Sequence, residues 1–270
     1  MSNTVDNYLF LGLPKSGKTT YFSIMAQRLQ DVANREKNMK FLYLPTPITD
    51  KESEEDKQEE RTSDFIADCI SRFKKAKWPK KTQAYEDGYT FELTKYFSLF
   101  GKPILQKYFY KKAVIKYHDY PGEAFEVAFG VIDSPTPEIK KAADDMKEKI
   151  ASASGLFLIL DADSLFCGTD SKKQRITLTK LFQCIKSSKP DIKLAIIFNK
   201  LELFCGHIPN LERMLRNDYS NAYAYLPDNH KFFYVYPLGT VGTGDDGWTY
   251  PPKTLSPKNI LAPVKWMIGF

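Results

Sequence analysis

Cysteine is scarce in this chain: four residues, Cys69, Cys167, Cys184 and Cys205, that form no C-x-x-C pair. That scatter argues against a disulfide framework or a zinc site and suits a reducing compartment. Long apolar runs are missing too, so no segment reads as a membrane span. The first residues show no basic stretch followed by an apolar one, and the expected location is the cytoplasm. Arginine is sparse: Arg28, Arg35, Arg61, Arg72, Arg175, Arg213 and Arg216 lie far apart, with no group of the kind a phosphoryl-transfer lid would need. Net charge is +6, but the basic residues are interleaved with 33 acidic ones. This balance mildly favours anionic partners without pointing to nucleic acid. What is present is a folding composition, 43% hydrophobic and 14% aromatic, in 270 residues. A core of that size is readily buried, and the expectation is a single domain over residues 1–270.

The most informative segment is Gly12-Leu13-Pro14-Lys15-Ser16-Gly17-Lys18-Thr19, a full match to G-x-x-x-x-G-K-[ST]. Tyr8 to Leu11 before it read as a short buried strand. After it, Phe22, Met25, Ala26 and Leu29 recur at helical spacing. A strand, a glycine loop and a helix in that order surround an anion with backbone N–H groups and a helix N-terminus. The motif predicts a nucleoside triphosphate held by Gly12, Pro14, Lys15, Ser16, Gly17, Lys18, Thr19 and Thr20. Lys18 would reach the β- and γ-phosphates, and the Thr19 hydroxyl would serve Mg²⁺.

Further along, Lys40 to Leu44 read as a strand ended by Pro45 and Pro47, and Phe65, Ile66, Cys69, Ile70 and Phe73 as a helical stripe. The stripe follows a charged run, Asp50 to Arg61, and precedes a basic cluster, Lys74 to Lys81, both read as solvated. Tyr89 to Phe97 and Tyr108 to Asp119 form an expected antiparallel hairpin with Gly101-Lys102-Pro103 near its tip. A polar helix is expected over Pro137 to Ala153. Strands over Gly155 to Leu160, Leu194 to Phe198 and Phe232 to Tyr236 then alternate with helices over Gln174 to Ser187 and Ile208 to Tyr219. Strands alternating with helices after a glycine loop predict an α/β fold, with a mostly parallel sheet covered on both faces.

Two further motifs follow strands. Asp119-Tyr120-Pro121-Gly122-Glu123 is D-x-x-G, where an aspartate at a strand end can hold Mg²⁺ through a water and the glycine N–H can approach a γ-phosphate. The sequence alone also permits a plain turn there. Asn199-Lys200-Leu201-Glu202 is N-K-x-E after a buried strand. Asp161-Ala162-Asp163-Ser164 reads as a polar loop, His118 as a core or edge histidine, and Gly242 to Gly247 as a mobile loop. Trp266 with Ile260, Leu261, Val264, Met267 and Ile268 reads as a helix, around Asn259 to Ile268, packed on the sheet.

With the glycine loop GLPKSGKTTYF, the strand-end DYPGE, N-K-x-E and the Trp78-Pro79 segment before the hairpin, the chain resembles the Ras-like P-loop GTPases of the translation-factor-related class. In detail it is most similar to the bacterial double-GTPase families. The resemblance implies a Ras-like P-loop NTPase sheet with one antiparallel hairpin and a helical insertion, about residues 45–85, before the first switch. It implies GTP/GDP and Mg²⁺ as cofactors, with Asn199, Lys200 and Glu202 on guanine. It also implies a first-switch threonine on Mg²⁺ and the γ-phosphate, for which Thr82 is the candidate and Thr46, Thr49 and Thr62 are alternatives. Asp119 would serve the metal and Gly122 the γ-phosphate. Glu123 would stand where many relatives carry a water-positioning glutamine.

Three departures from the family pattern shape the expectation. Glu202 replaces an aspartate, so its carboxylate has one more methylene to fold back. The loop Tyr236-Pro237-Leu238-Gly239-Thr240 falls where a backbone N–H meets the guanine O6; Pro237 has none to give, so Leu238 would supply it. Glu123 beside a γ-phosphate repels it. The resulting expectation is a GTP-binding switch with slow intrinsic hydrolysis, an activating partner supplying an arginine, and output through a protein effector or a nucleotide-dependent dimer. An ATP-dependent kinase or ATPase, and a scaffold that binds nucleotide without turning it over, are the alternatives.

Overall fold

Tyr8 and Phe10 point to one side of the first strand and Leu9 and Leu11 to the other, and all four are buried. Only a central strand covered on both faces satisfies such a pattern. The structure, a computed structural model, describes residues 5–44, 55–79, 86–96, 98–99, 102–103, 110–120, 122–129, 136–168, 171–204, 210–239, 241–243 and 249–269.

The first strand, β1 (Val5–Gly12), runs into α1 (Lys18–Arg35) and then β2 (Met39–Leu44). Helix α2 (Glu55–Lys74) precedes the long strand β3 (Glu86–Tyr96). A two-residue ladder, β4 (Ser98–Leu99) with β5 (Lys102–Pro103), leads to β6 (Tyr110–Asp119). Helices α3 (Gly122–Ala128) and α4 (Pro137–Ser152) come next, then β7 (Gly155–Asp161), α5 (Ala162–Phe166) and α6 (Ser171–Ser188). The last part of the sheet is β8 (Lys193–Asn199), α7 (Leu211–Asp218), α8 (Ser220–Ala224) and β9 (His230–Tyr234). A small ladder, β10 (Gly242–Thr243) with β11 (Thr249–Tyr250), and helix α9 (Ala262–Ile268) complete the order.

Seven strands form one sheet in the order β2-β3-β6-β1-β7-β8-β9. Strands β6, β1, β7, β8 and β9 are parallel, and β3 is antiparallel to β6. This is the Ras-like P-loop arrangement, with β3 and β6 as its antiparallel hairpin. One strand is added at the edge: β2 pairs antiparallel with β3, Met39 opposite Lys95 through Leu44 opposite Thr90. Periodicity showed that strand but not its partner.

Each sheet face has its own core. Leu9, Leu11, Leu156, Leu158, Leu194 and Ile196 pack with α3 to α8. Tyr8, Phe10, Phe91, Ile115 and Tyr117 pack with α1, α2 and α9. The insertion helix α2 belongs to the second core, seating Ile66, Cys69, Ile70 and Phe73 there, with Phe65 stacked on Tyr89 at 3.9 Å. The charged run is therefore partly helix, since α2 already begins at Glu55. The last helix starts at Ala262, later than its apolar pattern suggests, because Asn259 sits at a left-handed φ of 59° and Pro263 occupies the first turn. No helix among the described residues is long and apolar enough to cross a membrane.

Candidate functional site

The carboxyl ends of the parallel strands converge on the loop after β1, the usual ligand edge of an open α/β sheet. Lys15 (φ 62°) and Gly17 (φ 80°) take left-handed backbone conformations, which turn successive amides toward one concavity. Glycine is required at both ends of the loop. A Cβ on Gly12 would stand 2.7 Å from the Ile159 carbonyl oxygen, and one on Gly17 would stand 2.7 Å from Asn199 Nδ2. Helix α1 starts at Lys18 with no side chain capping its first amides and no acidic residue in its first turn. Those amides and the helix dipole suit an anion. Ser16 is fully buried with its hydroxyl unpartnered. The Lys18 ammonium donates to the carbonyls of Gly12 and Leu13 at 3.2 and 3.3 Å, the lip of the same loop. These features fit a polyphosphate.

The N-K-x-E segment is fastened to this loop. Asn199, wholly buried, donates its Nδ2 to Ser16 O at 2.8 Å and to Gly17 O at 3.3 Å, leaving Oδ1 unpartnered. Lys200, at φ 58°, donates to Lys15 O at 2.6 Å and pairs with Asp161 at 2.7 Å. Asp161 is the last residue of β7, and the β7–β8 register sets it opposite Asn199. Its other oxygen caps α5 by accepting from the amides of Asp163 and Ser164. The segment read as a polar loop is thus a helix start joined to the lysine of the motif. Glu202 accepts from Leu238 N–H at 3.2 Å, while its Oε2 is buried and unpartnered. Burial raises its carboxyl above the ordinary range, against the pull of backbone donors and Lys200. The loop after β9 is itself stitched down: Ser256 donates to Leu238 O, and Tyr236 and Lys258 exchange backbone bonds. Pro237 and Leu238 are buried in it.

On the other side of α1, Thr19 Oγ1 lies 2.9 Å from the Tyr117 hydroxyl. Tyr117 is fully buried and stacked on Phe22 at 4.5 Å, so its phenol is rigidly aimed. Asp119 ends β6 two residues further on, and Gly122 and Glu123 open α3. A threonine hydroxyl and an aspartate at the neighbouring strand end are residue types that supply the oxygen ligands Mg²⁺ prefers. His118 faces away from Tyr117. Its ring nitrogen Nδ1 lies 3.4 Å from the Lys149 ammonium, and Lys149 and the Tyr120 hydroxyl both donate to Asp145. Burial, reinforced by Lys149, pushes the imidazole down to about 4.

The residues expected from the motifs therefore divide. Gly12, Pro14, Lys15, Ser16, Gly17, Lys18, Thr19 and Thr20 lie together, Asn199 and Lys200 are hydrogen-bonded to them, and Glu202 is bonded to Leu238 beside Pro237. Thr82 lies outside the described residues, as do Thr46 and Thr49. Thr62 is on α2, 1% exposed, enclosed in the second core and unavailable to a ligand. Asp161, read as part of a polar loop, and Tyr117, given no role in the sequence, are both parts of this edge. The acid at the end of β7 was a usable signal for the first; the second gave none.

No family model matches the chain, and no curated protein matches it. Among solved structures it is similar to the signal recognition particle receptor SRb-GTP/SRX complex from Chaetomium thermophilum, with 13% identity, TM-score 0.44, and coverage of 90% of this chain and 94% of that one. It is similar to the Arl6 BBS3 small GTPase from Trypanosoma brucei with bound GppNp, at 12% identity and TM-score 0.42, covering 98% and 95%. It is also similar to the GTP-bound Ski7 GTPase-like domain of S. cerevisiae, at 12% and 0.44, covering 99% of this chain and 50% of that one. At such identities and scores these likenesses carry no information about ligand or activity.

Proposed function

We propose that this chain is a GTP-binding switch of the Ras-like class with slow intrinsic hydrolysis, acting through nucleotide-dependent binding of a partner protein. In this reading residues 1–270 form one nucleotide-binding unit, with 45–85 as its insertion. The observation that carries the reading is the joining of two motifs 183 residues apart. Asn199 and Lys200 are hydrogen-bonded to the carbonyls of Ser16, Gly17 and Lys15, so a base bound beside them is held in register with the phosphates.

The loop amides and the α1 N-terminus bind and orient the polyphosphate, and Lys18 swings from its loop carbonyls to the phosphate oxygens. Mg²⁺, held through Thr19, Asp119 and the candidate Thr82, would neutralise charge developing on the transferred phosphoryl group. Glu202 supplies its unpartnered Oε2 as an acceptor to the N–H edge of guanine. Glu123 adds negative charge near the γ-phosphate, which favours slow turnover and an arginine supplied by a partner. The γ-phosphate would order Thr82 and the segment from Asp119 to Glu123, and hydrolysis would release them.

The test is competition against a fluorescent GDP analogue. GTP and GDP should displace it far better than ATP, with single-turnover hydrolysis below roughly 10⁻² s⁻¹. Equal displacement by ATP overturns the guanine assignment. A second reading, an ATP-using enzyme, draws on one observation: the Leu238 N–H, needed for the guanine O6, is already engaged by Glu202. ATP outcompeting GTP would establish it.

A further inference from the structure

We infer that His118 is a positioning residue on the γ-phosphate side of the loop, donating its Nε2 proton to a single water shared with Lys18. The inference rests on the reading of this edge as a triphosphate site. His118 is 6% exposed, and its Nε2 has no hydrogen-bond partner. An unpaired N–H in the interior costs about 1–3 kcal/mol, so such a group calls for an explanation.

The proton's place follows from chemistry. An ammonium has donors and no acceptor. Lys149 therefore faces the lone pair of Nδ1, and the neutral ring carries its hydrogen on Nε2. Lys149 is itself held by Asp145, 2.8 Å away on the same helix turn. Gly88 on β3, with no Cβ, leaves room for the ring. A Cβ there would meet Nδ1 at 2.4 Å and Cε1 at 2.5 Å, so that edge of the imidazole lies flat against β3. On the side of β6 away from β3 runs β1. There a cavity of about 10 Å³ is lined by Phe10, Gly12, Lys18, His118, Tyr120 and Phe125. That is close to the room one water needs.

The cavity's polar lining holds both donors and acceptors. His118 brings Nε2–H and Lys18 an ammonium that also donates to the Gly12 and Leu13 carbonyls, while the Tyr120 hydroxyl donates to Asp145. A water fits such a lining: it can accept from Nε2–H and from the ammonium with its lone pairs while keeping two hydrogens. Those hydrogens are what a phosphate oxygen beside Lys18 can accept. The arrangement links Lys18 through the water and His118 to Lys149 and Asp145 on α4, and from Asp145 to Tyr120 just before α3. The γ-phosphate is thereby coupled to the segment expected to switch.

The experiment uses the full chain, a fluorescent non-hydrolysable GTP analogue and the matching GDP analogue. His118→Phe keeps a ring of similar size but no donor; His118→Asn keeps a donor. The triphosphate-over-diphosphate preference should fall about tenfold in His118→Phe, with diphosphate affinity unchanged, and recover in large part in His118→Asn. In ¹⁵N spectra of the wild type, which has three histidines, His118 should show the Nε2–H form. Its Nε2 signal should shift with the triphosphate and not with the diphosphate. An Nδ1–H form, an unchanged preference in His118→Phe, or equal loss for both nucleotides overturns the inference. Failure of the wild type to bind either nucleotide overturns the triphosphate reading beneath it, and is told apart by that.

Discussion

Glu202 accepts a hydrogen bond from the Leu238 N–H at 3.2 Å, closing the gap between the end of β8 and the loop after β9. The extra methylene of glutamate makes this reach possible. In the proposed reading, a base bound there would meet a carboxylate with one free oxygen and a backbone donor already in use. Glu202→Asp, one methylene shorter, should release that donor. The GTP-over-ATP preference should then rise about tenfold, the worth of one hydrogen bond of ~1.4 kcal/mol. Competition binding with the two triphosphates measures it; an unchanged ratio removes Glu202 from base selection.

The same carboxyl has a stability consequence. Its folded pKa lies above its unfolded one because burial disfavours the anion. Between the two values the native state binds more protons, so the contribution of Glu202 to stability is present at low pH and is lost as pH rises through the folded pKa. Subtracting the pH–stability profile of Glu202→Gln from that of the wild type should isolate a component of that sign. Chemical denaturation between pH 4 and about 7 is the measurement.

Tyr117→Phe removes one oxygen from a buried ring. The Thr19 hydroxyl then loses the phenol that fixes its direction. Removal of such an outer partner typically weakens metal affinity 10–100-fold. A titration of Mg²⁺ against bound fluorescent GTP analogue should show a loss of about tenfold, with metal-free diphosphate binding preserved. An identical Mg²⁺ midpoint would mean that Tyr117 serves packing alone.

Asp161→Asn separates two roles of one side chain. Asparagine still caps α5, so thermal stability should change by less than about 1 kcal/mol. The charge that holds Lys200 is lost, however, from a pair whose side chains are only 27% and 13% exposed. Nucleotide affinity should fall several-fold with little change in Tm. Calorimetric binding beside a thermal melt distinguishes this from general destabilisation.

Gly17→Ala tests the loop itself. The new Cβ must adopt a φ of 80° and stand 2.7 Å from Asn199 Nδ2. Strain of about 1–2 kcal/mol comes from the backbone alone, and the clash displaces the asparagine. Both a lower Tm and loss of nucleotide binding are expected.

Much of this was legible in order along the chain. The loop from Gly12 to Thr19 is local, because a left-handed glycine and a helix start are properties of a few consecutive residues. The hairpin of β3 and β6 followed from alternation in two nearby runs. The edge pairing of β2 did not, since an apolar strand of six residues can join either side of a sheet. Thr62 read as a candidate ligand because a polar residue in sequence carries no mark of its burial.

The sequence by itself determined the sheet class, the phosphate loop and the order of the motifs, all of which depend on short-range spacing and strand or helix period. Only the tertiary structure decided which side chains meet. Asp161 joins Lys200, Tyr117 joins Thr19, Glu202 takes the Leu238 N–H, and His118 lines one cavity with Lys18. Each of these contacts spans separate elements. Its geometry is set by strand register and by the filling of a core, which no local stretch of residues encodes.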